Sequence, residues 1–259
     1  VVSTWGSDVC AWQGESKRDY FLKQYILQRA DALTATSEFQ AKETQKYIAN
    51  GREVRVIPYG VDLARFPYLE RTPAADGTIT IGCVKRLEVV YGQTHLLDAF
   101  AVVSKELPGA RLLLVGDGTA KGDLQKQADR LGIGPVVEWA GAVPHEGVPE
   151  VLRRMDLFAM PSLGESFGVA AVEAGATGLP VVASKVGGVG EVVADGETGL
   201  LVPPGEPKPL AEAILQLARD PSLRRRMGKS ARARVERFYE WESNVEAMER
   251  LYRQVVACG

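Results

Sequence analysis

The sequence is short of the residues that usually announce chemistry. Its 259 residues include three cysteines, Cys10, Cys83 and Cys258, and two histidines. The cysteines are odd in number and scattered, without metal-ligand spacing. That excludes a disulfide framework or a zinc site and suits a reducing cytoplasm. His95 falls in a predicted helix and reads as a satisfied or exposed side chain; His145, in a Pro144-His-Glu-Gly loop, is better placed for a ligand, with an idle role the favoured reading. No Ser/His/Asp arrangement or metal cluster can be picked out, and no metal is expected. The net charge of −2 gives no electrostatic case for nucleic acid. No apolar run approaches the ~18–20 residues of a membrane span, and no signal peptide opens the chain. Nor is there an initiator Met: Val1 leads straight into a strand-like segment. The expectation is a fragment, a processed form or an engineered piece of a cytoplasmic protein.

What is present is alternation. Strand and helix patterns follow one another throughout, as a parallel sheet with helices on both faces requires. Residues 1–62 read as strand Val1–Thr4, helix Lys17–Arg29, strand Ala32–Thr36, helix Glu38–Asn50 and strand Val54–Ile57. A Pro- and Gly-punctuated connection, 63–77, ending near Pro73 and Gly77, marks a domain boundary. The pattern restarts with strands at Ile79–Val84, Arg111–Val115, Val136–Trp139, Leu157–Met160, Pro180–Ala183 and Leu200–Val202. Helices include Gln93–Lys105, with Leu96, Leu97, Phe100 and Val103 on one face, and Pro209–Arg219, Ser222–Phe238 and Trp241–Val256. This predicts a complete doubly wound α/β domain over 78–240, preceded by the trailing part of a second Rossmann-like domain and followed by a terminal helix, 241–259.

The most informative stretch is Pro161 to Val182. Pro161 closes a buried strand, Ser166 is a candidate N-cap, Phe167 to Thr177 reads as helical, and Gly178 with Pro180 ends it. Such a turn aims backbone N–H groups at one point and suits a phosphate. Glu165 lies in the turn and Glu173 about two turns along the helix; at ~1.5 Å rise per residue they would be roughly 12 Å apart. That spacing fits hydroxyl-bearing groups on either side of a diphosphate. A solvated pair of glutamates is the plain alternative. Gly164, Gly168 and Gly175 argue against it, because glycine weakens a helix, and close approach of a ligand or a strand would supply the reason for carrying them.

Other segments sit where this architecture binds ligands, beyond the strands' carboxyl ends. Gly82-Cys-Val-Lys-Arg86 offers Arg86 for a bidentate diphosphate contact. Gly116-Asp117-Gly118 is a weaker signal, usually a turn. Gly187-Gly188-Val189-Gly190-Glu191 opens a helix but lacks the full dinucleotide fingerprint. The helix holding Arg224, Arg225, Arg226, Lys229, Arg232, Arg234 and Arg237 is read as a solvated basic face, with an anionic membrane surface as its alternative partner.

Together these segments resemble the carboxyl-terminal half of a retaining glycosyltransferase of the GT-B fold, in the glycogen-synthase and bacterial mannosyltransferase-like family. The resemblance rests on Arg86 with Gly92, Val115-Gly-Asp-Gly118, Gly141, Pro161-Ser with Glu165 to Glu173, Gly187-Gly188 with Glu191, and Asp195 to Val202. It implies that Glu165 holds the donor sugar near the reacting carbon and Glu173 the ribose. The Ser166, Phe167, Gly168 and Val169 turn would cradle the diphosphate, with Arg86, aided by Lys85, neutralising the leaving group. Gly116, Asp117 and Gly118 with Val143 and Pro144 would frame the base, and Gly6 would complete the donor site. The implied donor is a UDP- or GDP-linked sugar, with no other cofactor or metal, and the acceptor is unidentified. Three departures stand out: Tyr91 where the family has a lysine, Trp5 where a histidine often precedes Gly6, Ser7 and Asp8, and the absence of the family's preceding segment. They leave a binding-only half-enzyme as the alternative, with a nucleotide-sugar epimerase a more distant one, and predict self-association through an exposed apolar flank.

Overall fold

The computed structural model describes residues 1–6, 8–10, 14–49, 51–72, 74 and 76–258. Ser7, the Asn50 end of the second predicted helix and Pro73 lie outside the described residues. The first part of the chain runs β1 (Val2–Thr4), α1 (Lys17–Arg29), β2 (Leu33–Ala35), α2 (Glu38–Gln45) and β3 (Arg55–Val56). β1, β2 and β3 form a parallel sheet in that order. Ser16 and Ser37 cap α1 and α2 through their hydroxyls, accepting from Asp19 N–H and Gln40 N–H. α2 ends at Gln45, short of the predicted length, and single turns carry the chain on through Tyr47 and Ile48.

The second part contains β4 (Ile79–Val84), α3 (Gln93–Glu106), β5 (Ala110–Val115), α4 (Lys121–Arg130), β6 (Val137–Gly141), α5 (Val148–Arg153) and β7 (Leu157–Met160). It continues with α6 (Val169–Ala176), β8 (Val181–Ser184), α7 (Val189–Val192), β9 (Gly199–Val202), α8 (Pro207–Arg219), α9 (Pro221–Phe238) and α10 (Trp241–Cys258). All six strands are parallel, in the order β6-β5-β4-β7-β8-β9. Chain order reverses between β4 and β7. Such a reversal opens a crevice beyond the strands' carboxyl ends, where doubly wound sheets hold ligands.

Each face of this sheet is buried, as its near-continuous Ile/Val/Leu strands demand. One core packs α3 and α8 residues such as Leu96, Phe100 and Ile214 onto Ile81 and Leu112. The other packs Val151, Val172 and Val235 onto Phe158 and Val181. Gly175 allows this second packing: a Cβ there would lie 3.2 Å from Val235 Cγ2. The sequence reading assigned that glycine to a ligand or a strand; the approaching element is helix α9.

The basic helix α9 is also more structural than its charge pattern implies. Arg224 donates to the carbonyls of Leu217 and Ala218 at the end of α8. Arg232 donates to those of Phe66 and Ala176, and Arg234 to those of Glu191 and Val192. Apart from that of Phe66, these carbonyls lie at the carboxyl ends of α6, α7 and α8, where carbonyls lack intrahelical partners, and the guanidinium groups occupy them. Arg225, Arg226, Lys229 and Arg237 remain on the exposed side. Among the described residues no helix is long and apolar enough to cross a membrane.

Candidate functional site

The crevice is built by two loops on either side of the reversal point, one after β4 and one after β7. After β7 the chain runs from Pro161 to Gly168 before α6 begins. Gly168 has φ 103°, a conformation that stops the helix from starting earlier. The predicted start at Phe167 and the Ser166 N-cap are therefore corrected: Gly168 is the N-cap, and no side chain caps α6. Glu173 is the fifth residue of α6, just over one turn in rather than two. The spacing between the glutamates is half turn and half helix, so the helical-rise estimate of their separation does not apply.

An uncapped helix start leaves the first-turn N–H groups of Val169 and Ala170 without intrahelical acceptors and concentrates the positive end of the helix dipole there. The turn that presents them is held from several sides. Ser166 donates through its hydroxyl to the Trp5 carbonyl at 3.2 Å, and its own carbonyl accepts from the Ser37 hydroxyl at 2.8 Å. Gly187 and Gly188 press directly against it: Cβ atoms there would fall 1.7 Å from the Glu165 carbonyl oxygen and 2.3 Å from that of Ser166. Gly6 lies on the same turn, its Cβ position 3.2 Å from Ser166 Oγ. The Gly187-Gly188 pair is thus a backbone clamp on the glutamate turn. Phe167 is fully buried and packs between Tyr59 and Tyr239, so only its backbone is offered to the crevice.

Glu165 is 9% exposed and pairs with Lys85, Nζ to Oε2, at 2.5 Å. The Lys85 ammonium also lies 4.6 Å from the centroid of the Tyr91 ring. Arg86, the cation singled out by the sequence reading, points elsewhere: its side chain is 76% exposed and meets Glu88 at 3.3 Å. Neighbouring residues of a strand end point to opposite sides, and here it is Lys85 that faces the glutamate turn.

Gly116 and Gly118 belong to the packing between loops. Cβ atoms there would come 2.0 Å from the Lys85 carbonyl and 2.3 Å from that of Leu87. The Asp117 carboxylate accepts from Gly118 N–H and Lys121, which hold it below the ordinary carboxylate range.

Glu173 is 7% exposed, and His145 Nε2 lies 2.8 Å from its Oε1, a hydrogen bond. Burial raises its pKa above the ordinary glutamate value, and the His145 contact works in the opposite direction. His145 is in turn braced by the Phe66 ring and by Arg65, 3.4 Å from Nδ1. Reading the sequence favoured an idle role for His145; the structure sets it on Glu173. The signal lay in its place one residue beyond Val143 and Pro144 in the β6 loop. Between this group and residues 59–66 is a cavity of about 580 Å³, walled by Tyr59, Phe66, Phe167, Val169 and Trp241, with Glu173 and His145 at its edge.

A site of this kind offers anion-binding amides, a cation and two buried carboxylates in one crevice. The sequence also matches the family model of glycosyl transferases group 1 over residues 67–234. This chain belongs to the group 1 glycosyltransferase family. It is 34% identical over 245 residues to the D-inositol 3-phosphate glycosyltransferase of Segniliparus rotundus, an alignment covering 90% of this chain and 54% of that one. With the glycogen synthase of Mycobacterium tuberculosis it shares 30% identity over 92% of its length and 57% of the relative. The chain therefore spans about half the length of the curated relatives it matches. Among solved structures, sucrose-phosphate synthase from Thermosynechococcus elongatus superposes with a TM-score of 0.84 at 30% identity, covering 96% of this chain and 64% of that one. HepE of Anabaena in complex with UDP-glucose gives 0.84 at 25% identity, covering 97% and 72%. This group 1 chain is thus an α/β protein of the GT-B kind, matching half to two-thirds or more of its relatives' length.

Proposed function

We propose that the crevice binds a nucleotide-diphosphate sugar, UDP- or GDP-linked, and that the chain carries the donor half of a retaining, metal-independent hexosyltransferase. The observation that carries this reading is the Lys85–Glu165 pair beside the uncapped start of α6. The diphosphate would sit on the backbone of Gly168 and Val169, where the helix dipole favours negative charge. Glu173 would accept from the ribose hydroxyls and Glu165 from those of the sugar. As the glycosidic bond to the diphosphate breaks, negative charge grows on the leaving oxygens. Lys85 and the α6 amides face that charge, with Arg86 able to swing in from the loop; these stabilise it without a metal. The leaving diphosphate is then free to take the proton of an acceptor hydroxyl attacking from the same face, which keeps the anomeric configuration. Glu165 as a covalent nucleophile is the alternative route.

The alternative is a binding-only domain that holds the nucleotide sugar and transfers it only when paired with another chain. Calorimetry with UDP- and GDP-sugars on wild type and Glu173→Ala tests binding, with an affinity loss of about tenfold or more expected for the variant. Donor hydrolysis or transfer that is lost in Glu165→Ala would exclude the binding-only reading. Failure of the wild type to bind either donor would end the first.

A further inference from the structure

We infer that Tyr91 is a positioning residue whose ring holds Lys85 for the β-phosphate, making Lys85 the cation that distinguishes a nucleoside diphosphate from a monophosphate. The inference rests on the donor-site reading above and adds a residue and a discrimination to it. Three features of the crevice carry it.

First, the two cations at the end of β4 have different environments. Lys85 is 18% exposed, on Glu165 and over Tyr91, whereas Arg86 is outside on Glu88. Second, the ring's place is fixed relative to Glu165. Gly92 adopts φ 69°, and a Cβ there would fall 2.0 Å from the Pro161 carbonyl oxygen. Leu163 N–H donates to the Val90 carbonyl at 2.8 Å. The loop bearing Tyr91 and the turn bearing Glu165 are thereby joined into one unit, with Lys85 reaching between them. Third, the chemistry of the seat leaves the ammonium usable. A Lys ammonium has three N–H donors. The carboxylate takes one and the aromatic face attracts the cation through its quadrupole, leaving a donor for an oxyanion. A second carboxylate in place of the ring would compete with the phosphate for that donor; a ring does not.

The α-phosphate is common to both nucleotides, so the cation's contact with the β-phosphate appears as a preference for the diphosphate. The test is calorimetry with UDP and UMP, and with GDP and GMP, on the intact chain. Wild type is expected to prefer one diphosphate over its monophosphate. Lys85→Ala and Tyr91→Ala should each reduce that preference by about tenfold, through weaker diphosphate binding. Tyr91→Phe, which keeps the ring, should restore what Tyr91→Ala loses. In Lys85→Ala/Tyr91→Lys, the ammonium is supplied from the other side of the same seat, and the preference should return. Circular dichroism and thermal melting of each variant separate a lost preference from a lost fold. An unchanged diphosphate-to-monophosphate ratio in a folded Tyr91→Ala overturns the inference while leaving the donor site standing. Wild type that binds no nucleotide overturns both.

Discussion

At the scale of single residues, Glu173 shows how burial and partnership oppose one another. Desolvation disfavours its charged form, and His145 and more distant cations offset only part of that. With the native value above the ordinary 4.5, the folded chain holds a proton that the unfolded chain has released. Stability from this group is therefore greatest below 4.5 and declines as pH rises through the window between that value and the raised native one. In the proposed donor site binding runs the other way, because the ionised carboxylate is the stronger acceptor for the ribose hydroxyls. UDP or GDP affinity, measured by calorimetry across this range, should increase with pH, and Glu173→Gln should flatten the profile. His145→Ala removes the offsetting partner and should move the profile to higher pH. The sequence singles out both glutamates through their flanking glycines, since their spacing alone is common, and the structure buries both. Which of Lys85 and Arg86 meets Glu165 was not legible, because which neighbour faces the glutamate turn depends on where β4 ends.

At the scale of elements, the arginines of α9 and the glycines of the loops were visible as composition but not as contacts. Helix boundaries such as Lys17–Arg29 and strands such as Ile79–Val84 and Leu157–Met160 match their predicted limits, since caps and apolar runs are local signals. The start of α6 does not, because a positive φ at Gly168 cannot be read from residue type alone. Arg232 illustrates what tertiary packing adds: it satisfies the carbonyls of Phe66 and Ala176 and joins residues 59–66 to α6. Arg232→Ala leaves both carbonyls without that donor and should cost about 2–3 kcal/mol in urea unfolding, against under about 0.5 kcal/mol for the exposed Arg225→Ala. A related contact binds the two sheets: the Glu191 carboxylate accepts from Glu38 and Phe39 N–H at the start of α2, at 2.8 and 2.9 Å. A carboxylate at a helix amino terminus is favourable, so Glu191→Gln should lower the melting temperature in a salt-dependent way.

At the scale of the whole molecule, the six-stranded sheet was foreseen strand by strand, because parallel buried strands are continuous apolar runs. Its order, and so the crevice at the β4–β7 reversal, came only with the structure. The three-stranded sheet leaves an apolar stripe on α1, where Phe21, Leu22, Tyr25 and Ile26 are all exposed. Self-association through this stripe is the proposed outcome; light scattering should show a larger species at high concentration that Phe21→Glu/Tyr25→Glu returns to monomer. A wild type that stays monomeric would count against it. The central claim concerns the crevice, and a crystal structure of the chain soaked with UDP or GDP tests it most directly. The expected result is a diphosphate on the amides of Gly168 and Val169, Lys85 at its outer phosphate and ribose hydroxyls on Glu173. A nucleotide bound away from this turn, or with its ribose toward Glu165, would contradict the account.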